Sequence, residues 1–440
     1  MPFRFLLCFF VSSFFIPSRT LASGFAVPVS KDATTLLYSL PLYLKTPPQR
    51  TQLHLDLGAS FTWLDCDNNY TSSTYQHISC GTPLCTSVGF NLACSNCDQP
   101  PSPTCANNTC GLFPENSVTQ KATISIAIID SLALPTSDES TQGSLGFIPE
   151  YIFSCAPASL RKGLPKISEG VAAFGRSNYS LTVQVSRGFS TPNCFALCLS
   201  PSTSDSGVAF FGSSGPYYFS PQNIDLSKSL TYTPLLLNPV GGTIITYNGK
   251  PSDEYFIGLT SIKVNGKPIP INGSLLAIND ENGFGGTKLS TSTPHSILES
   301  SIYKAFTDAF LNESAGLNLT VTNAVDPFTV CYPVADVINT RVGPAVPTVD
   351  LVMQSDDVFW RIFGANSMTR ITKDGVDVWC LGFVDGGVNP RTAIVIGGHQ
   401  IEDNLLQFDL ESKRLGFSSS VVLKGTTCDN FNFKTKKGND

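Results

Sequence analysis

Charge is scarce in this chain: Asp, Glu, Lys and Arg together make up 14% of its 440 residues. Long solvent-facing helices need many charged side chains, so they are not the dominant element. What charge there is leans acidic, with a formal net charge of −6, and no basic face is visible. A nucleic-acid binder is thereby excluded. Histidine is scarcer still. His54, His77, His295 and His399 are scattered along the sequence, and each reads as an ordinary strand or turn histidine. Long apolar runs are missing except near the start, so no other stretch could span a bilayer. The end of the chain is polar and basic (Lys434, Lys436, Lys437), which excludes a lipid-anchor tail of the usual kind. There is no Gly-x-Ser-x-Gly; Gly212-Ser213-Ser214-Gly215 has the wrong spacing for a nucleophile elbow. Gly283-Phe284-Gly285-Gly286-Thr287-Lys288 is not a phosphate loop, because its spacing is wrong and no helix follows.

Apolar residues reach 42%, enough for substantial cores, and 35 Gly and 30 Pro are spread through the chain. That combination fits many short strands joined by turns. Met1 to Ser23 (residues 1–23) reads as a secretory signal peptide: Arg4 carries the positive charge, Phe5 to Ile16 the apolar run, and Ala22 or Ser23 a small residue near the cut. The run is too short for a membrane anchor and is interrupted by Ser12 and Ser13. Export agrees with the cysteines. Of 14, Cys8 lies in the leader and seven crowd between Cys66 and Cys110, the pattern of a disulfide knot. Cys94-Ser95-Asn96-Cys97 has the spacing of half a zinc site, but so few histidines and a secretory leader argue against metal. The mature count is odd, so one thiol is left over. Cys194 and Cys198 sit close together, and one of them is expected to be unpaired. Six Asn-x-Ser/Thr sequons, at Asn69, Asn107, Asn178, Asn272, Asn312 and Asn318, are plausible glycan sites on surface loops of a secreted protein.

Period-2 alternation marks strands at Gln52 to Leu57 and at Ala122 to Ile128, where Ile124, Ile126 and Ile128 share one face. Asn265-Gly266, between Tyr255–Val264 and Lys267–Ile271, is a strong hairpin signal. Ala393 to Ile396 is a buried-type strand, and Glu299 to Phe310 a helix with Ile302, Phe306, Ala309 and Phe310 on one side. The chain therefore reads as all-β with a few short helices. It also repeats itself weakly. Each half holds an apolar strand leading to a small polar turn (Asp56, Ser290), then an apolar-apolar-Gly turn (Val171 to Gly175, Ile394 to Gly397) before a short helix-like segment. A repeat of this size predicts two similar lobes, at residues 24–226 and 227–440.

The two polar turns are the most informative feature. The first reads Leu53-His54-Leu55-Asp56-Leu57-Gly58-Ala59-Ser60 and the second Thr287-Lys288-Leu289-Ser290-Thr291-Ser292-Thr293. They resemble the Asp-Thr/Ser-Gly-Thr/Ser turns of pepsin-like aspartic proteases, one per lobe, with the acid kept only in the first. Three further segments make the resemblance specific: Phe61-Thr62-Trp63-Leu64-Asp65-Cys66, Cys110-Gly111-Leu112-Phe113-Pro114-Glu115-Asn116, and Gly170-Val171-Ala172-Ala173-Phe174-Gly175-Arg176. The strongest is Ile394-Val395-Ile396-Gly397-Gly398-His399-Gln400-Ile401-Glu402-Asp403-Asn404-Leu405-Leu406-Gln407-Phe408-Asp409-Leu410. On these the chain resembles the plant branch of pepsin-like proteins that comprises extracellular dermal glycoproteins, xyloglucanase inhibitors, wheat-type xylanase inhibitors and basic seed globulins.

The resemblance implies a bilobal pepsin-like fold, pairs Cys331–Cys380 and Cys198–Cys428, and Cys194 as the extra thiol, since relatives usually carry Lys there. Proteolysis needs two carboxylates sharing a proton, one acting as base and one as acid. Asp56 has no acid partner, because Ser290 cannot titrate usefully and Asp280 and Glu281 lie outside the motif. The Tyr-Gly-x-Gly flap of active relatives is replaced by Phe113-Pro114-Glu115-Asn116. The implied role is inhibition of secreted microbial glycoside hydrolases (endoglucanase or xylanase) in the plant apoplast and cell wall, with no cofactor and with neither membrane nor nucleic acid as partner. A guanidinium on a loop can pair with cleft carboxylates, and the resemblance points to Arg341, with Lys424 the nearest match to a second basic residue. An active secreted aspartic endopeptidase and a storage or peptide-binding globulin are the alternatives.

Overall fold

The computed structural model describes residues 24–67, 70–89, 94–138, 140–242, 244, 250–373 and 375–434. The leader and the sequon at Asn69 lie outside the described residues. Strands dominate; six short α-helical segments accompany them among the described residues, the longest Ser300–Ala315. Twenty strands join into one continuous sheet system that runs through both halves of the chain. The all-β, bilobal pepsin-like architecture is thus the fold.

The internal repeat has a structural counterpart. Strand Gln49–Asp56 pairs in parallel with Gly170–Ala173, placing Asp56 opposite Ala173. Strand Thr287–Leu289 pairs in parallel with Ile394–Ile396, placing Leu289 opposite Ile396. Each parallel strand is followed by a helix, Leu181–Phe189 in one half and Gly398–Ile401 in the other. The halves are stitched by antiparallel pairing of Cys194–Cys198 with Leu405–Asp409. Around that seam Phe195 stacks on Phe408, and Tyr255 packs against both, all fully buried. This shared apolar core holds the two polar turns at fixed mutual positions.

Local chemistry accounts for the element ends. At the hairpin, Asn265 and Gly266 take φ of 51° and 80°, the double left-handed turn that an Asn-Gly pair tolerates. Glu299 caps the long helix rather than opening it, its carboxylate accepting from Ser301 N at 2.9 Å and Ile302 N at 3.2 Å. Ile302, Phe306 and Phe310 are buried along its inner face, and the helix continues past Phe310 to Ala315. One alternation reading fails. Ile126 and Ile128 are buried, but Ile124 is 56% exposed, because the strand starts only at Ser125.

The cysteine cluster is smaller than its spacing suggested. Cys80–Cys94, Cys85–Cys110 and Cys97–Cys105 close among themselves, while Cys66 leaves the cluster to bond Cys155. Cys94 and Cys97 thus belong to two different disulfides. Cys198 is bonded to Cys428 and Cys331 to Cys380, and Cys194 is free and buried.

Candidate functional site

The ends of the two parallel pairs face one cleft of about 670 Å³, lined by both Asp56 and Ser290. Asp56 Oδ1 accepts from Gly58 N at 2.8 Å, and its other oxygen accepts from the Ser117 hydroxyl. Ser117 follows the Glu115–Asn116 strand, which pairs with Lys121–Ala122 to form the hairpin over the cleft. The two polar turns are joined by Thr291, whose hydroxyl donates to Leu55 O at 2.7 Å and accepts from Leu57 N at 3.1 Å. Leu57 has no hydroxyl with which to return these bonds, so the junction is one-sided. Ser290 donates its backbone N–H to Ile396 O at 2.9 Å and shares a hydroxyl contact with Thr293 at 3.1 Å. Beneath them His54 is fully buried. Its Nδ1–H donates to Tyr38 O at 2.9 Å, so Nε2 accepts from the Ser292 hydroxyl at 2.9 Å. Burial lowers its pKa, which keeps the ring neutral.

The chemistry available here is limited. At the two polar turns one carboxylate, already accepting two hydrogen bonds, shares the cleft with a hydroxyl that cannot serve as an acid near neutrality. Glu254 lies next to the Asp56 turn, where a Cβ on Gly58 would stand 3.5 Å from Asp56 Oδ1 and 3.6 Å from Glu254 Oε1, and it is paired to Lys288 at 2.5 Å. Arg391 Nη2 in the same cleft donates to the carbonyls of Val240 and Gly241 at 2.8 and 2.9 Å. Asp280 and Glu281 are exposed and line no part of it. Ser117, Glu254 and Lys288 escaped the reading of the sequence. Only Lys288 left a trace there, as a charge inside an apolar strand.

The second group of expected residues, Arg341 and Lys424, lies elsewhere on the surface. Strands Asn339–Thr340 and Gly343–Pro344 form a tight hairpin with Arg341 and Val342 at its turn. The Thr340 hydroxyl closes it, donating to Gly343 O at 2.7 Å and accepting from Val342 N at 3.2 Å. Gly343 has φ of 92°, and a Cβ there would stand 2.2 Å from Ala365 N, so only glycine fits. Lys424 closes the 3-10 turn Val421–Lys424, which Gly425 ends at φ of 87°. The two segments meet: a Cβ on Gly425 would lie 3.6 Å from Arg341 Nη2. Residues 84 positions apart in sequence, Arg341 and Gly425, are therefore neighbours. Both cations are exposed, and neither has an ion-pair partner among the described residues. Apolar side chains flank them, Ile338 at 75% exposure and Leu423 at 50%.

The remaining expected positions are spread out. Asn107, Asn178, Asn272, Asn312 and Asn318 are all exposed, Asn178 at the rim of the Asp56 cleft. The histidines are less scattered than the sequence suggested: His295 and His399 lie 5.5 Å apart, ring centre to ring centre.

A two-lobed pepsin-like body whose two polar turns carry one acid between them, Asp56, defines the class. Residues 38–213 match the family model described as xylanase inhibitor N-terminal, and residues 254–419 the one described as xylanase inhibitor C-terminal. The chain belongs to this family of pepsin-like proteins. It is 54% identical over 405 residues to probable aspartic proteinase GIP1 of Glycine max, covering 92% of this chain and 90% of that one. Among solved structures it superposes on edgp with a TM-score of 0.91 at 48% identity, covering 94% of this chain and 99% of that one. It also superposes on conglutin gamma, a basic 7S globulin from lupine seeds, with a TM-score of 0.78 at 33% identity, covering 93% and 99%. No helix among the described residues is long and apolar enough to cross a membrane.

Proposed function

We propose that this protein is a secreted, proteolytically inactive aspartic-protease homologue that binds and inhibits a microbial cell-wall-degrading glycoside hydrolase, a xyloglucan-type endoglucanase before a xylanase. The observation that carries the reading is that Arg341 lies against Gly425, next in sequence to Lys424, with both cations exposed and neither in an ion pair among the described residues. Glycoside hydrolases hold two carboxylates about 5–9.5 Å apart in an open cleft. A guanidinium can pair with such carboxylates in bidentate geometry, and an adjacent ammonium supplies a second charge. Ile338 and Leu423 would cover the apolar walls that such clefts offer to sugar rings. The membership in a xylanase-inhibitor family supports the same reading.

In this reading Ser290 stands where a second catalytic carboxylate would be, and the lone Asp56 is a structural acceptor for Gly58 N and Ser117. The signal peptide, the lobe division at residues 226–227, apoplastic location and glycans on the exposed sequons belong to the proposal as well. Inhibition assays with the purified mature protein test it. Arg341→Ala should weaken inhibition of a sensitive endoglucanase about 30-fold or more, the size expected for removing a desolvated charge partner. Lys424→Ala should cost less, about threefold to tenfold, because ammonium is the poorer bidentate partner. Full activity across a panel of fungal and oomycete endoglucanases and xylanases would refute the inhibitor reading.

A further inference from the structure

The longest family-like motif, Ile394 to Leu410, contains just before the strand Leu405–Asp409 a turn that lines no part of the cleft yet is dense in buried polar contacts. We propose that Asp403, in this turn, is the positioning residue that holds the Lys424 loop against Arg341; the consequence for inhibition rests on the function proposed above.

The geometry is that of a clamp. Asp403 sits at φ of 48°, in the left-handed region, with its N–H donated to Leu199 O at 2.9 Å. Its carbonyl accepts from Val421 N at 2.8 Å, and its Oδ1 accepts from Cys428 N at 2.8 Å. One residue thus ties both ends of the segment 421–428, and Lys424 and Gly425 lie between those ends. The left-handed backbone is what lets carbonyl and carboxylate of one residue reach both points, and Asp accepts that conformation more readily than most side chains. Inside the loop only short turns remain, Leu423 N to Ser420 O at 3.3 Å and Gly425 N to Val422 O at 3.1 Å. Two outside ties add to the clamp: the Thr426 hydroxyl donates to Ser220 O at 2.5 Å, and the Cys198–Cys428 disulfide fixes the far end, leaving Asp403 as the tie that joins that end back to Val421.

The same turn reaches the other cation. Asn366 Nδ2 donates to His399 O at 3.0 Å and to Glu402 O at 2.8 Å. Asn366 belongs to the helix Gly364–Ser367, and the next residue back, Ala365, donates its N–H to Val342 O at 2.8 Å, in the turn that bears Arg341. Glu402, adjacent to Asp403, is in turn fixed from the first half of the chain by Tyr38 Oη at 2.5 Å and Lys31 Nζ at 2.6 Å. Residues 399–403 are therefore a common footing for both basic loops. Asp403 is the member of it whose side chain acts on the Lys424 loop alone.

Hydrogen–deuterium exchange on the intact mature protein tests the clamp without any target enzyme. Asp403→Gly keeps the left-handed backbone at no steric cost and removes the acceptor. Asp403→Asn keeps an acceptor oxygen and removes the charge. We expect Asp403→Gly to raise exchange within 421–428 about tenfold, equivalent to about 1.4 kcal/mol, while 338–345 and the helix 300–315 stay at the wild-type rate. Asp403→Asn should stay near wild type throughout. Unchanged exchange at 421–428 in the glycine variant, or a rise spread evenly over the chain, would overturn the clamp. The second arm measures inhibition of a fungal xyloglucan-hydrolysing endoglucanase. About tenfold weaker inhibition by Asp403→Gly, restored by Asp403→Asn, supports the positioning role. A loosened loop with unaltered inhibition would overturn that role. If the wild-type protein leaves the probe uninhibited, the inhibitor reading fails for that enzyme, and the exchange arm alone still decides the clamp.

Discussion

Asp56 and Ser290 share a cleft but not a proton. Asp56 accepts hydrogen bonds from Gly58 N and the Ser117 hydroxyl, and Ser290 spends its hydroxyl on Thr293. Asp56→Ala should therefore leave inhibition untouched and act on stability. Thermal denaturation should show a loss of about 1–3 kcal/mol, the cost of stranding two donors. A loss of peptide cleavage on this substitution would instead establish a protease. The Cys194 thiol is another residue with a clear expectation. Burial first, then the Asp409 charge, pushes it up to about 12, so little thiolate forms at neutral pH. Iodoacetamide should leave the native mature protein unmodified and label one thiol per chain after unfolding; rapid labelling of the folded protein would contradict this. Asp403 is one source of pH-dependent stability. Burial first, then Asp429 and Glu402, push its carboxyl up to about 6, and the Cys428 N–H only partly offsets them. The folded chain thus holds that proton more tightly than the unfolded chain. Its stabilisation is fully present below the ordinary value of 3.8 and is lost as pH rises through about 6. His295 acts in the opposite direction, since burial first, then His399 and Lys31, bring it down to about 4 from 6.5. Folding loses stability there as pH falls through that window. Asp403→Asn removes the first slope, worth up to about 2 kcal/mol after allowance for partial exposure. Melting temperatures of the variant should then fall from pH 6.5 to pH 4 more steeply than those of the wild type; parallel curves would mean Asp403 titrates as an ordinary aspartate.

At the scale of elements, the hairpin bearing Arg341 is the sharpest case of backbone dictating surface. Gly343 permits both its positive φ and the close approach of Ala365. Gly343→Ala should cost roughly 2 kcal/mol or more in strain and overlap. It should also weaken inhibition, although it removes no contact residue; a variant of full potency would show that the hairpin tolerates reshaping. The elements that sequence periodicity reveals best are those whose pattern matches their burial. The strand leading to Asp56, the Asn265-Gly266 hairpin and the inner face of the long helix are of this kind. Elements whose limits depend on distant partners are read less well. Ile124 continues an alternating pattern yet lies outside the strand, because pairing begins at Ser125 opposite Leu112. Cys66 looks like part of the downstream cluster yet pairs across the fold, where strand Trp63–Asp65 lies beside the end of Gln142–Ala156.

At the scale of the molecule, the duplicated parallel strand pairs and the shared aromatic seam keep a cleft whose chemistry is incomplete. The two polar turns were legible because each follows an apolar strand. The neighbourhood of Arg341 and Lys424 was not, because nothing local links segments about 80 residues apart that meet only once the second half has folded. The same holds for Ser117 on Asp56 and for Asp403 beneath the Lys424 loop: each is a polar residue in a turn until the fold supplies its partner. The proposed binding surface at Arg341 and Lys424 therefore stands apart from the Asp56 cleft, which neither residue lines. The most direct test is a double-mutant cycle on binding between the mature protein and a fungal xyloglucan-hydrolysing endoglucanase, with Arg341→Ala, Lys424→Ala and both together. The account predicts a tight wild-type complex, a large loss with Arg341→Ala and a combined loss that departs from the sum of the two, as expected for adjacent cations facing one acidic cleft. Binding that survives the double substitution at wild-type strength would contradict it.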